Sequence, residues 1–363
     1  MDDVSPLYRV ENQHDGTHLS LRWKGQVRYT VPRDKDGQQA CWKVFRPGML
    51  GVPLKAMAKL PRLLHVRSCA EGPQFQSIRA AVGPEAGLSG CRGGSEGVWS
   101  KSTVLLLDKT NKKPLCIVKV GASDTVDALL QNEAQWLGKL RQQSELVPHL
   151  PELIAHRSGN QLCFLAQSVV FGDLDFSLGE AHFKFLRKLY DFSSRSIEYR
   201  DSSLYRTLSM RMAGLKGSLS EAWTARLETA MRKIEEGLSG APQVFVTAHH
   251  DFTPWNVALK GETAFVFDWE LAADEQLPLF DPLHFTLMPL GLWNRSTDKI
   301  IEKMHRTIRL YQQRFGEEFS YSAETQALAY FVNLSTLYLW SRQSLQHPLL
   351  LSSARLIDRL CSE

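Results

Sequence analysis

The run His249-His250-Asp251-Phe252-Thr253-Pro254-Trp255-Asn256, followed by Asp268-Trp269-Glu270, holds the residues with the sharpest chemical meaning in this chain. A carboxylate, an amide five positions on and a second carboxylate beyond a short hairpin can converge on one nucleotide. A carboxylate so placed, here Asp251, can accept a hydroxyl proton. Asn256 and Asp268 offer hard oxygens, which magnesium prefers over nitrogen or sulfur. That chemistry is magnesium-supported phosphoryl transfer. Taken singly, each of the three would read as a turn cap or a loop start. Their joint register, with apolar strands between them, favours a phosphate-metal site.

The elements that must position these groups are short. Val244-Phe245-Val246 is a β-branched and aromatic run, so Asp251 falls where a strand gives way to a loop. Pro254 stiffens that loop. Val257-Ala258-Leu259 reads as a strand, Lys260-Gly261-Glu262 as a turn, and Ala264-Phe265-Val266-Phe267 as the returning strand. A hairpin with a polar group at each open end brings Asn256 and Asp268 together.

These motifs resemble the aminoglycoside phosphotransferase and choline kinase family, the small-molecule branch of the protein-kinase-like fold. The family's usual string is His-Gly-Asp, four residues, Asn, and then an apolar strand ending in Asp-Trp-Glu or a close variant. Here His250 stands in place of the glycine. The string Pro278-Leu279-Phe280-Asp281-Pro282-Leu283-His284-Phe285 looks like the family's next segment, whose carboxylate buttresses the catalytic loop. The resemblance spans residues 75–345. It implies an α+β, bilobal, protein-kinase-like fold, with a small antiparallel-sheet lobe, a larger mainly helical lobe and here an N-terminal extension. It also implies ATP and Mg as cofactors, Asp251 as catalytic base, His249 as the residue steadying its loop, and Asn256 and Asp268 as metal ligands.

Lys119 lies in the apolar strand Leu115-Cys116-Ile117-Val118-Lys119-Val120, where an unpaired ammonium is costly. In the helix that follows, capped by Ser123 or Asp124, Glu133 falls inside the stripe of Val126, Leu130, Leu137 and Leu140. The two are expected to pair, and in kinases such a pair holds the nucleotide's phosphates. Upstream, Gly87, Gly90, Gly93, Gly94 and Gly97 read as a glycine-rich loop, with Gly94, Ser95 and Gly97 facing phosphate. Residues 77–82 and 40–45 are expected as strands. Large-lobe helices are expected over 182–193, 203–215, 220–238, 297–315 and 323–343. His250 reads as a solvated loop histidine.

The domain plan is 1–72 as an extension, 73–170 as the nucleotide-binding lobe and 171–363 as the catalytic and substrate lobe. The extension reads as packing on the small lobe, with a partner or membrane-surface contact as the other reading. A mixed basic and apolar segment over 49–65 is expected as an amphipathic helix. With 43 basic against 39 acidic side chains, the formal charge of +4 is too mild to suggest nucleic acid. Six scattered cysteines lack zinc-like spacing and fit a reducing cytoplasm, the expected compartment. Neither a signal peptide nor a membrane span is legible; residues 327–340 read as a buried helix instead.

The acceptor is expected to be a small-molecule hydroxyl. The first 72 residues and the 280–285 string are similar to members found among polysaccharide-biosynthesis enzymes, which implies a sugar or glycan precursor. The alternative is a nucleotide-binding pseudokinase acting through protein contacts, suggested by His250 and by the extension. Protein-kinase activity is disfavoured because no Ala-Pro-Glu ending follows Asp268-Trp269-Glu270.

Overall fold

A computed structural model describes residues 8–11, 18–23, 26–45, 64–93, 98–159, 161–316, 323–341 and 344–362. The chain divides into two compact units, Met1–Gln142 with Leu150–Gly172, and Gln143–His149 with Asp173–Glu363.

The first unit is built on nine strands: β1 Tyr8–Glu11, β2 His18–Trp23, β3 Gln26–Pro32, β4 Leu64–Glu71, β5 Ala86–Arg92, β6 Ser102–Asp108, β7 Pro114–Gly121, β8 Leu153–Arg157 and β9 Cys163–Gln167. They form one sheet in the order β1-β4-β2-β3-β5-β6-β7-β9-β8. Neighbouring strands run antiparallel throughout. The strands of the first 71 residues therefore belong to the same sheet as those that follow. Because side chains alternate along a strand, β6 serves two cores. Val104 and Leu106 pack with Phe75, Ile78, Val118 and Phe164 on one face. Leu105 and Leu107 pack with Tyr29, Val31, Cys41 and Phe45 on the other. A strand buried on both faces reads as a continuous apolar run, as Val104 to Leu107 does.

Three helices attach to this sheet: α1 Lys35–Phe45, α2 Pro73–Val82 and α3 Asp124–Leu140. Two of them correct the expectation of strands. Over 40–45 the chain is helical, and the helix begins where Asp34 Oδ1 accepts the Gly37 N–H at 2.7 Å. Over 77–82 it is helical again, with Pro73 at its start and Gly83 (φ +141°) after its end. Phe75 and Ile78, three apart, share the face that enters the core. The glycine-rich loop is corrected in part as well. Gly87 and Gly90 lie within β5, and Gly90 is there because of packing: a Cβ would come within 2.4 Å of Cys41 Sγ on α1. Gly94, Ser95 and Gly97 lie outside the described residues, as does most of 49–65.

The second unit is mainly helical. Its helices are α4 Glu180–Ser193, α5 Ser203–Leu215, α6 Glu221–Leu238, α7 Phe280–Leu292, α8 Thr297–Phe315, α9 Ala323–Trp340 and α10 Pro348–Ser362. Strands β10 Arg195–Ile197, β11 Gln243–Ala248 and β14 Ala273–Gln276 form a small sheet with β11 central, and β12 Val257–Lys260 pairs with β13 Thr263–Val266. Helix α9 is buried nearly all round, including the polar Asn333, Ser335 and Thr336. No helix among the described residues is long and apolar enough to cross a membrane. A sheet-based unit and a helical unit make up the α+β class expected from the sequence.

Candidate active site

Strand β11 carries the chain to His249, and the loop that follows is pinned from α7. The Asp281 carboxylate, in the first turn of that helix, accepts the His249 N–H at 2.8 Å and the His250 N–H at 3.0 Å. Hydrogen bonds to an ionised carboxylate are among the stronger kinds. They hold His250 at φ +63°, a conformation glycine adopts freely and other residues rarely do. The chain thus keeps a glycine-like backbone here without a glycine. Burial acts the other way on Asp281 itself, pushing its carboxyl up to about 6.

The reading of His250 as a solvated histidine is overturned. Its Nδ1 accepts a hydrogen bond from Asn333 Nδ2 at 3.1 Å, and its ring meets Phe280 edge-on. Burial, assisted by the nearby Arg211 cation, pushes its pKa down to about 3.

His249 is fully buried, and its two ring nitrogens have distinct partners. Nδ1 accepts the Asp251 N–H at 3.1 Å, and Nε2–H donates to the Phe267 carbonyl at 3.1 Å. The pattern requires the neutral Nε2–H tautomer, in keeping with a pKa that burial pushes down to about 4. Phe252 anchors the other side of the loop among Phe185, Phe285 and His182.

Both oxygens of Asp251 are engaged. Asn256 Nδ2 donates to Oδ2 at 2.7 Å and to the Asp251 backbone carbonyl at 3.0 Å. His284 Nε2 lies 3.3 Å from Oδ1, and its Nδ1 lies 3.3 Å from the Tyr330 hydroxyl. With its amide hydrogens spent on Asp251, Asn256 keeps its carbonyl oxygen for another group. The Asp251 side chain remains 26% exposed, so its carboxylate is reachable from outside.

The hairpin sets the third group. Val257 pairs with Val266, and the Phe267 N–H donates to the Asn256 carbonyl at 3.2 Å. Asn256 and Phe267 are therefore opposite one another at the open end, with Asp268 next in line. Asp268 has φ +74°, a second strained non-glycine residue within this short stretch. Trp269 behind it is fully buried, donates Nε1–H to the Val266 carbonyl at 3.0 Å and stacks edge-on against His249. An amide oxygen and a carboxylate on adjoining hairpin ends form a donor set of hard oxygens, which suits magnesium.

In the first unit, Lys119 Nζ lies 2.6 Å from both carboxylate oxygens of Glu133, and both side chains are buried. Ser123 caps α3 by accepting the Val126 N–H, fixing the rotation that turns Glu133 inward with Val126, Leu130 and Leu137.

A sequence model described as the phosphotransferase enzyme family (APH) matches residues 94–281, more than half of the chain. The chain belongs to that family. It is accordingly a kinase-type phosphotransferase. No curated protein matches it significantly. Among solved structures, a thermostable mutant of aminoglycoside phosphotransferase APH(4)-Ia in its apo form is 13% identical, with a TM-score of 0.53 over 76% of this chain and 94% of that one. A variant of that mutant in ternary complex with ADP and hygromycin B is 12% identical, with a TM-score of 0.54 over 80% and 98%. The GDP complex of wild-type aminoglycoside 2'-phosphotransferase-IIIa is 13% identical, with a TM-score of 0.50 over 80% and 98%. At such identity the likeness is one of fold.

Sequence reasoning missed His284, Tyr330, Arg211 and Asn333. They lie on α7, α9 and α5, far along the chain from Asp251; His284 falls inside the 278–285 string, but nothing in that string marks its side chain, and no local pattern marks the other three.

The buried histidines of this phosphotransferase make a prediction about acid. His182, His249 and His250 fold with pKa values lowered to about 4, 4 and 3, burial being the main cause in each. Between the unfolded value near 6.5 and these folded values, the unfolded chain binds more protons, so stability is present above pH 6.5 and lost as pH falls. Asp281, raised to about 6, contributes in the opposite sense between pH 6 and its ordinary value. Three groups outweigh one. The melting temperature should fall by on the order of 10 °C between pH 7.5 and pH 5. A flat or rising profile in a thermal melt series would contradict these protonation states.

Proposed function

We propose that this phosphotransferase moves the γ-phosphoryl group of ATP, with magnesium, to a hydroxyl of a small molecule, and that a sugar or glycan precursor is the first class to test. The observation that carries the reading is the Asp251 carboxylate, held on both oxygens yet still reachable, beside the hard-oxygen pair Asn256 and Asp268. The ADP and hygromycin B bound to a fold relative support a nucleotide and a hydroxyl acceptor.

In this reading Asp251 accepts the proton of the attacking hydroxyl as the acceptor oxygen bonds to phosphorus and the bond to the β-phosphate oxygen breaks. Asn256 and Asp268 would hold the metal, which when bound neutralises phosphate charge. Lys119, kept in place by Glu133, binds the nucleotide phosphates, with Gly94, Ser95 and Gly97 as further phosphate contacts. His249 acts through structure, fixing the Asp251 backbone and the hairpin end with its two ring nitrogens.

The direct test is calorimetric titration of the magnesium complex of AMP-PNP, followed by ATP consumption with a panel of sugars, aminoglycosides and amino alcohols. Nucleotide binding in the micromolar range and consumption with one class are expected. Absence of any magnesium-nucleotide binding overturns the reading.

His284 is a positioning residue in this scheme, since it reaches the reaction only through Asp251. His284→Leu should lower kcat by about tenfold to a hundredfold, the range that small misplacement of a reacting group produces. KM for ATP should change little. His284→Gln, which can still donate to Oδ1, should recover much of the loss, and an equal defect in both variants would count against positioning through that hydrogen bond.

A further inference from the structure

Several arginines of the second unit meet a carboxylate: Arg187 with Asp191, Arg200 with Glu235, Arg206 with Glu275, Arg226 with Asp358 and Arg314 with Glu180. Arg211 on α5 differs. Among the described residues its protein acceptors are Asn333 Oδ1 at 2.9 Å and the Asn333 carbonyl at 3.4 Å, both reached from Nη1. Nε and Nη2 make no hydrogen bond to the described residues. Burial lowers the Arg211 pKa to about 10, and among the described residues no acidic neighbour offsets it. A partly buried cation without a counter-charge is costly, and the cost is relieved by an anion.

The place is informative. Asn333 takes its hydrogen bond from Arg211 on one side and gives one to His250 on the other. Arg211 thus stands two hydrogen bonds away from the residue that precedes Asp251. One helical turn further along α5, Gly214 seats Trp340: a Cβ there would fall within 2.1 Å of the indole. Trp340 is nevertheless 46% exposed, leaving an aromatic surface on the same pair of helices.

We propose that Arg211, oriented by Asn333, binds an anionic group of the hydroxyl acceptor, a carboxylate or a phosphate, so that this phosphotransferase acts on an acidic small molecule. The inference rests on the phosphotransfer reading above and narrows its substrate class. A guanidinium fork matches either anion with two parallel hydrogen bonds, while the exposed indole offers a stacking surface to the ring of the acceptor. A polycationic acceptor would instead meet like charge.

The test uses the full chain saturated with the magnesium complex of AMP-PNP, so that the nucleotide site is filled. Glucose, glucosamine, glucuronate, glucose 6-phosphate and inorganic phosphate are then titrated by calorimetry into the wild type and into Arg211→Gln, Arg211→Met and Arg211→Lys. At least one of the three anions should bind the wild type at least tenfold more tightly than glucose or glucosamine. That preference should vanish in Arg211→Gln, which retains a neutral donor for Asn333, and be only partly kept in Arg211→Lys, which restores the charge but not the bidentate fork. Glucuronate against glucose 6-phosphate separates carboxylate from phosphate. Melting temperatures verify folding, and the Gln variant carries the test if the Met variant does not fold. Failure of all three anions to bind in an Arg211-dependent way overturns the proposal. Failure of AMP-PNP to bind is a different result and overturns the phosphotransfer reading.

Discussion

Asp251→Asn should lower turnover by about a hundredfold or more while leaving the affinity for magnesium-nucleotide near that of the wild type, the scale typical of losing a general base. The substitution preserves shape but removes the group that takes the hydroxyl proton. It also disturbs a specific arrangement. Asn256 Nδ2 and His284 Nε2 approach opposite oxygens of Asp251. An amide presents one oxygen and one NH2, so one of these contacts becomes donor against donor. A loss of about 1–3 kcal/mol in stability is expected beside the kinetic loss. Asp268→Asn is the informative partner. It removes a carboxylate from the hard-oxygen pair, so nucleotide binding in the presence of magnesium should weaken along with turnover. Titrating the magnesium complex of AMP-PNP into both variants separates the roles. Equal affinities in the two would remove the assignment of Asp268 to the metal, and unimpaired turnover in Asp251→Asn would remove the base.

The parts of this site that were legible in sequence are those whose geometry is local. The hairpin from Val257 to Val266 announced itself through apolar strands around Lys260-Gly261-Glu262, and Gly261 adopts φ +59° at the turn. Lys119 and Glu133 were legible because a charge inside an apolar pattern needs a partner, and each sat inside one. The helix expected over 203–215 is found at Ser203–Leu215, and the structure shows its cap, where Ser202 accepts the Tyr205 N–H. The errors have equally local causes. Ile78 and Val82 suggested a strand, although Pro73 and Gly83 bracket a helix. Ala40 to Phe45 looked extended in a six-residue window too short to show the period set by Cys41 and Phe45, and the Asp34 cap lay outside it. Gly90 looked like part of a phosphate loop when the close approach of Cys41 accounts for it. His249 and Asp281 were legible as parts of the motif strings, but the roles of His284, Tyr330, Asn333 and Arg211 were not. His284 and Asn333 touch the loop, Tyr330 and Arg211 stand behind them, and a single sequence carries no signal for which helix faces meet.

The largest expected change in the first unit concerns Lys119 and Glu133. Lys119 lies mid-strand in β7, level with Thr103 on β6 and Leu165 on β9, and Leu165 packs against α3. The ammonium and its carboxylate therefore share the side of the sheet that α3 covers. Removing one partner strands the other charge: Glu133→Leu or Lys119→Met should each destabilise the unit by about 3–5 kcal/mol, measured by chemical denaturation. Replacing both, in the Lys119→Met/Glu133→Leu variant, leaves no buried charge and puts apolar groups of similar volume against Leu165 and Leu130. Its stability should return to within about 2 kcal/mol of the wild type, so the double-mutant cycle shows strong coupling. Activity should not return with it. A pair kept only for folding would be dispensable once replaced by packing, whereas a lysine held for the phosphates of a nucleotide has no apolar substitute. Turnover in the double variant should stay at least about a hundredfold below wild type, the loss expected when one oriented charge is removed from a phosphoryl-transfer site. A stable double variant with wild-type turnover would leave the pair a structural role alone, and the nucleotide phosphates would then need another cation.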